Sequence, residues 1–245
     1  MKPSEKISFI SNWIKNYVDN MPNKAQSLIV GISGGIDSSV SSTLSAMTGL
    51  KTIVLSMPIK QKNLQHDLSL KHQGWLIKNF KNVEAHLVNL DELFKTFEGS
   101  LSKFNDEHGM ANSRARLRMT TLYQVAAANK GIVVGTGNKV EDFGVGFYTK
   151  YGDGGVDILP IADCNKTEVW ELGKELEILP EIIDAVPTDG LWDDGRTDEG
   201  QLGLKYSELE EAMNNPNSIN REKYEKIRKL NLHKMEPIPV CKIPN

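Results

Sequence analysis

The side chains best suited to chemistry gather first in Ser33-Gly34-Gly35-Ile36-Asp37-Ser38, directly after the apolar run Leu28-Ile29-Val30-Gly31-Ile32. Glycines let a backbone turn sharply and approach a ligand, because no Cβ stands in the way. Asp37, Ser38 and Ser39 then open a helix. Its first amides have no intrahelical partners and lie at the positive end of the helix dipole. Strand, glycine turn and helix start make a cradle for an anion, phosphate above all. The cradle is not a Walker loop, since no Gly-Lys-Ser/Thr follows, and the three-glycine Rossmann spacing is missing too. Ser33, Asp37 and Ser38 supply polar groups that a turn serving packing alone would not need.

The elements that must hold this cradle follow from periodicity. Residues 4–20 set Ile7, Ile10, Ile14 and Val18 on one face, with Phe9, Trp13 and Tyr17 beside them, which predicts an amphipathic helix. A strand over 27–32 leads into the cradle and a helix to about Thr48, with Gly49 as its C-cap. A second strand spans 52–57 and stops at Pro58; a helix over 64–80 counts Leu64, Leu68, Trp75 and Leu76 in its apolar set; a third strand covers 83–90. A strong helix over 112–129 precedes Gly131-Ile132-Val133-Val134-Gly135-Thr136-Gly137, read as a strand and a second glycine turn. Helical stretches follow at 166–176 and 180–185, then a Gly- and Asp-rich loop over 188–197, then helix to about Leu230 and a proline-rich tail. The loop is expected to be mobile and to close over the site. Strands alternating with helices predict a doubly wound, mostly parallel sheet with helices on both faces and its ligand at the strands' carboxyl ends. No linker divides the chain, so residues 1–245 are read as one domain.

Composition narrows the partners. With 25% charged and 39% hydrophobic residues over 245 positions, the chain has an ordinary globular balance. A net charge of -3 argues against a general nucleic-acid surface. No apolar run approaches the ~20 residues of a membrane span, and Met1 to Lys6 lacks a signal-peptide core, so a cytoplasmic protein is expected. The two cysteines, Cys164 and Cys241, are too few for a disulfide framework or zinc site, and Cys164 is read as space-filling.

Further motifs carry a resemblance. Gly135-Thr136-Gly137-Asn138-Lys139-Val140-Glu141 leads to Gly146-Phe147-Tyr148-Thr149-Lys150-Tyr151-Gly152-Asp153-Gly154-Gly155-Val156-Asp157, and Leu159-Pro160-Ile161 is followed by Asn165-Lys166-Thr167-Glu168. With the cradle and Asn112-Ser113-Arg114-Ala115-Arg116, this set resembles the ammonia-dependent NAD synthetases among the N-type ATP pyrophosphatases, with their adenine nucleotide alpha hydrolase-like fold. The resemblance implies that ATP adenylates the nicotinate carboxylate of deamido-NAD, and that ammonia then displaces AMP. It implies Asp37, Lys166 and Glu141 as catalytic residues, with Asp37 and Glu141 as Mg²⁺ ligands. ATP would contact Gly31, Ile32, Ser33, Gly34, Gly35, Ile36, Asp37, Ser38, Thr136, Lys166 and Thr188. Deamido-NAD would contact Arg116, Lys150, Asp157, His233 and Lys234. Arg114 and Arg118 are read as solvated or at a subunit contact. For Asp37 a plain helix N-cap is the rival reading.

The resemblance also implies a homodimer. Its glutamine-dependent relatives carry an added glutaminase domain with a catalytic cysteine, for which this sequence shows no counterpart. Three positions depart from the commoner pattern: Ile36 stands where a polar residue is usual, and Gly137-Asn138 where Asp-His is usual. Another N-type pyrophosphatase should lack the 147–155 stretch, and a silent nucleotide sensor should have lost Asp37, Glu141 or Lys166; all are present.

Overall fold

The structure, a computed structural model, describes residues 1–61, 63–192 and 195–244. Strands β1 (Ser27–Gly31), β2 (Lys51–Ser56), β3 (Val83–Leu87) and β4 (Gly131–Val134) pair in parallel in the order β3-β2-β1-β4. Ile29 lies opposite Ile53 and Val133, while Val30 lies opposite Val54 and Val134. Successive side chains of a strand point to opposite faces, so these apolar runs need cover on both sides.

Helices supply it. In chain order they are α1 (Pro3–Asp19), α2 (Ile36–Met47), α3 (Asn63–Asn79), α4 (Asp91–Ser100), α5 (Glu107–Ala128), α6 (Lys166–Glu175), α7 (Pro180–Ile183), α8 (Asp198–Leu202), α9 (Tyr206–Asn214) and α10 (Arg221–Met235). On one face Leu28, Val30, Val54 and Val134 pack with Ile10 and Ile14 of α1, Val40 and Leu44 of α2, and Val169 and Leu172 of α6. On the other, Ile29, Ile53, Leu55 and Val133 meet Phe94 of α4 and Met119, Leu122 and Ala126 of α5. Val140, Leu202, Tyr206, Leu209 and Tyr224 form a third cluster beside the sheet. The doubly wound α/β expectation is borne out.

Some boundaries differ from the sequence reading, each for a local reason. Helix α4 was unforeseen; Phe94, fully buried, anchors it. Helix α5 starts at Glu107 because the Asp106 side chain accepts a hydrogen bond from the Gly109 amide at 2.6 Å, an N-cap. Leu64 is 71% exposed on the first turn of α3 rather than in the core. Cys164 packs in the core, as read.

The strand order fixes where a ligand can sit. From β1 the chain moves outward through β2 to β3, then returns to place β4 on β1's other side. The carboxyl ends of β1 and β4 therefore flank the switch point of the sheet, where doubly wound folds bind ligands. The cradle follows β1, and Gly135-Thr136-Gly137 follows β4, so both glycine turns open there.

Candidate active site

The cradle is a closed hydrogen-bond circuit. The Gly35 amide donates to Ser33 Oγ at 3.2 Å, the Ser33 and Ser38 hydroxyls lie 3.0 Å apart, and Ser38 Oγ donates to the Gly35 carbonyl at 3.0 Å. Ser38 has one hydroxyl hydrogen, so Ser33 must be the donor between the two. The serines thus brace the turn. Gly34 has a φ of +91°, and a Cβ there would lie 2.5 Å from the Gln65 carbonyl oxygen, so only glycine fits. Helix α2 is capped at Gly35, and Asp37 is its second residue, which removes the N-cap rival.

Asp37 instead faces Lys166. The Lys166 ammonium pairs with Asp37 Oδ2 and reaches Glu141 Oε1 at 3.0 Å, in a site where Lys166 is 2% exposed. Lys166 opens α6, where the helix dipole disfavours a cation, and the two carboxylates compensate. Burial would lower the Lys166 pKa, but Asp37 and Glu141 outweigh it and hold the ammonium charged. Burial raises the Asp37 pKa, and Lys166 offsets this only in part. Burial acts on Glu141 too, yet Lys166 and the Tyr206 hydroxyl keep its pKa below the ordinary value.

Asn138, fully buried, sets this geometry, a role that neither residue type nor spacing revealed. Its Nδ2 donates to Asp37 Oδ1 at 3.3 Å, and its Oδ1 accepts from the amides of Val140 and Glu141, each at 3.1 Å. It thereby caps a π-helical segment, Lys139–Val145, that carries Glu141. Such wide turns are frequent at functional sites. The departure at Gly137 has a steric explanation. A Cβ there would stand 1.9 Å from Asp142 Oδ2, so the carboxylate of Asp142 fills that space. Burial, with Glu141 nearby, pushes the Asp142 carboxyl up to about 8.

Asp37, Ser38, Glu141 and Asp142 line a cavity with Gly31, Ile32, Ser33, Thr136 and Thr188, while Lys166 and Asn138 are buried behind its wall. Arg118 lines it too, its Nε donating to the Met57 carbonyl at 2.9 Å, and Arg114 is 6% exposed with Nη1 on the Leu191 carbonyl at 3.0 Å. The reading of both arginines as solvated or at a subunit contact is corrected: α5 turns their face inward. A second cavity, lined by Arg116, Lys150 and Lys234, shares Phe147, Asp153, Asp189 and Leu191 with the first. Lys234 Nζ donates to the Tyr148 carbonyl at 2.7 Å. Asp157 lines neither cavity; it accepts from Tyr123 Oη at 3.1 Å and from the Val133 amide at 2.7 Å. His233 is exposed and also lines neither. The loop expected to close over the site includes Asp193 and Asp194, which lie outside the described residues.

Two anion-ready turns and a lysine held by paired carboxylates can handle a polyphosphate. The family follows from comparison: residues 6–243 match the model of NAD synthase. The chain belongs to the NAD synthase family. An NH₃-dependent NAD⁺ synthetase of Carboxydothermus hydrogenoformans is 37% identical over 214 residues, 85% of this chain and 84% of that one. The solved NMN synthetase of Francisella tularensis is 32% identical with a TM-score of 0.89, covering 100% of this chain and 99% of that one. The NH₃-dependent NAD synthetase of Campylobacter jejuni, 23% identical with a TM-score of 0.80 over 99% of this chain and all 100% of its own, shares the fold.

Proposed function

We propose that this chain joins free ammonia to the nicotinate carboxylate of deamido-NAD, using ATP and releasing AMP and pyrophosphate. The observation that carries this reading is the buried Lys166 paired with Asp37, which stands in the first turn of the helix after the cradle, and with Glu141. A carboxylate is a poor electrophile, and adenylation gives it a leaving group. That step brings two anions together, so fixed cations and amide donors dominate its catalysis. The cradle amides hold the phosphates, Lys166 offers its charge to the reacting group, and Arg116, Lys150 and Lys234 draw the second anion into the adjoining cavity.

Asp37 and Glu141 suit Mg²⁺, which takes one or two protein carboxylates and completes its shell with phosphate oxygens and water. When bound, the metal supplies positive charge to the phosphates. The exposed Phe9, Trp13 and Tyr17 on α1 offer an apolar surface consistent with a homodimer.

A second reading has its own support in the likeness to the Francisella tularensis NMN synthetase. Under it the carboxylate activated belongs to the mononucleotide. Both readings are tested by incubating the protein with ATP, Mg²⁺ and ammonium, with either deamido-NAD or nicotinate mononucleotide. Formation of NAD, with AMP and pyrophosphate in the phosphorus NMR spectrum, is expected. Amidation of the mononucleotide alone would favour the second reading, and ADP with orthophosphate would overturn both.

A further inference from the structure

Tyr206 opens α9 and is 1% exposed. Its ring meets Trp170 of α6 edge-on, with centroids 6.0 Å apart, and Lys166 Nζ lies 4.8 Å from its centroid. Its hydroxyl is the only polar atom of the side chain, and a buried tyrosine hydroxyl requires a partner. Two carboxylates compete for it: Glu141 Oε1 at 2.5 Å and Asp198 Oδ2 at 3.1 Å. One hydroxyl carries one hydrogen, and the shorter contact to Glu141 takes it.

Lys166 also donates to Oε1 of Glu141, at 3.0 Å. Lys166 and Tyr206 thus converge on one oxygen. The Asn138 side chain also stabilises this carboxylate, and Oε2 takes no bond from either Lys166 or Tyr206, which leaves it for another charge. Lys166 alone would not fix this arrangement, since its ammonium is shared with Asp37. The tyrosine hydroxyl, carried on a rigid ring within the third core cluster, fixes it.

We infer that Tyr206 is a positioning residue for the nucleotide-borne cation: its hydroxyl holds Oε1 of Glu141 toward Lys166 and so reserves Oε2 for the metal. This rests on the reading of Glu141 as a Mg²⁺ ligand. Groups that orient a metal ligand typically change metal affinity 10–100-fold when removed.

The test is direct Mn²⁺ binding, followed by electron paramagnetic resonance with α,β-methylene-ATP present, for wild type, Tyr206→Phe, Glu141→Gln and the double variant. Phenylalanine keeps the ring contacts with Trp170 and Lys166, and thermal melting verifies that the variant is folded. Tyr206→Phe should raise the Mn²⁺ Kd about 10-fold. The double variant should bind no more weakly than Glu141→Gln alone. A Glu141→Gln variant that binds Mn²⁺ like wild type would overturn the ligand reading beneath the inference. A weakened Glu141→Gln beside an unchanged Tyr206→Phe would overturn the positioning role alone, as would full additivity of the two.

Discussion

Lys166 shows how one side chain can serve two states. Without nucleotide its ammonium pairs with both Asp37 and Glu141; with nucleotide, in the proposed reaction, part of that pairing passes to the metal and Lys166 turns charge toward the phosphates. Replacing it with methionine keeps much of its length and leaves two buried carboxylates uncompensated. Breaking such a group by removing one partner costs about 3–5 kcal/mol. Lys166→Met should therefore be destabilised by that order in urea denaturation, and Mg²⁺ alone should raise its melting temperature more than that of wild type. Equal Mg²⁺ responses would show that the carboxylates do not accept a cation in exchange. A second pair belongs to this scale. Gly137→Ala collides with Asp142, and overpacking of this kind costs about 1–3 kcal/mol. Combined with Asp142→Ala the penalty should vanish, giving a coupling energy of about 1 kcal/mol or more in a double-mutant cycle. Additive losses would mean that the two positions do not share the space. Asp37, Glu141 and Lys166 were legible in the sequence because each sits in a run of distinctive neighbours. Asn138, Tyr206 and Arg118 were not, because a buried hydrogen bond between distant elements leaves no local pattern.

Elements bring these side chains together, and α2 and α3 are joined through polar contacts as well as packing. His72 of α3, fully buried, lies 3.0 Å by Nε2 from Ser42 Oγ of α2 and stacks on Trp75. Burial lowers its pKa from 6.5 to about 4, against a hydrogen bond to the Ser39 backbone that acts to raise it. The folded state holds His72 neutral, while the unfolded chain takes up a proton below pH 6.5. Its contribution is therefore full above that pH and is lost as pH falls toward 4. Wild type should lose about 2 kcal/mol between pH 7 and pH 5 relative to His72→Gln, which keeps a polar partner for Ser42 and does not titrate. Parallel urea curves with the same pH dependence would show that His72 titrates normally. Helix identity was largely legible at this scale and helix ends were not. Asp106 capped α5 earlier than the apolar spacing indicated, and α4 is too short for a clear period. The π-helical segment left no periodicity to read, since its shape depends on Asn138.

At the scale of the whole molecule, the alternation of strands and helices made the parallel sheet legible, and the two glycine turns marked the switch point. What the alternation could not convey is that a second, cation-lined cavity adjoins the first through Phe147, Asp153, Asp189 and Leu191. That adjacency bears on the nitrogen source. In the proposed reaction the adenylate forms where both cavities meet and is attacked there before water reaches it. Neither cysteine offers a route to ammonia from glutamine. Cys164 is 5% exposed in the core, with burial pushing its thiol up to about 11, and Cys241 lies in the exposed tail. A nucleophilic thiol needs an adjacent base or a lowered pKa, and Cys164 has its pKa moved the wrong way. In the proposed reaction free ammonia is the nucleophile, and only its neutral form has a lone pair to give. At fixed total ammonium the rate should rise with pH through the mildly alkaline range, in proportion to the neutral fraction. Lys166 does not confound that rise, because its paired carboxylates keep it charged throughout. A rate independent of pH at subsaturating ammonium would point to a step other than attack as limiting. NAD formation by the purified chain from glutamine, with ammonium rigorously removed, would overturn the assignment of the nucleophile.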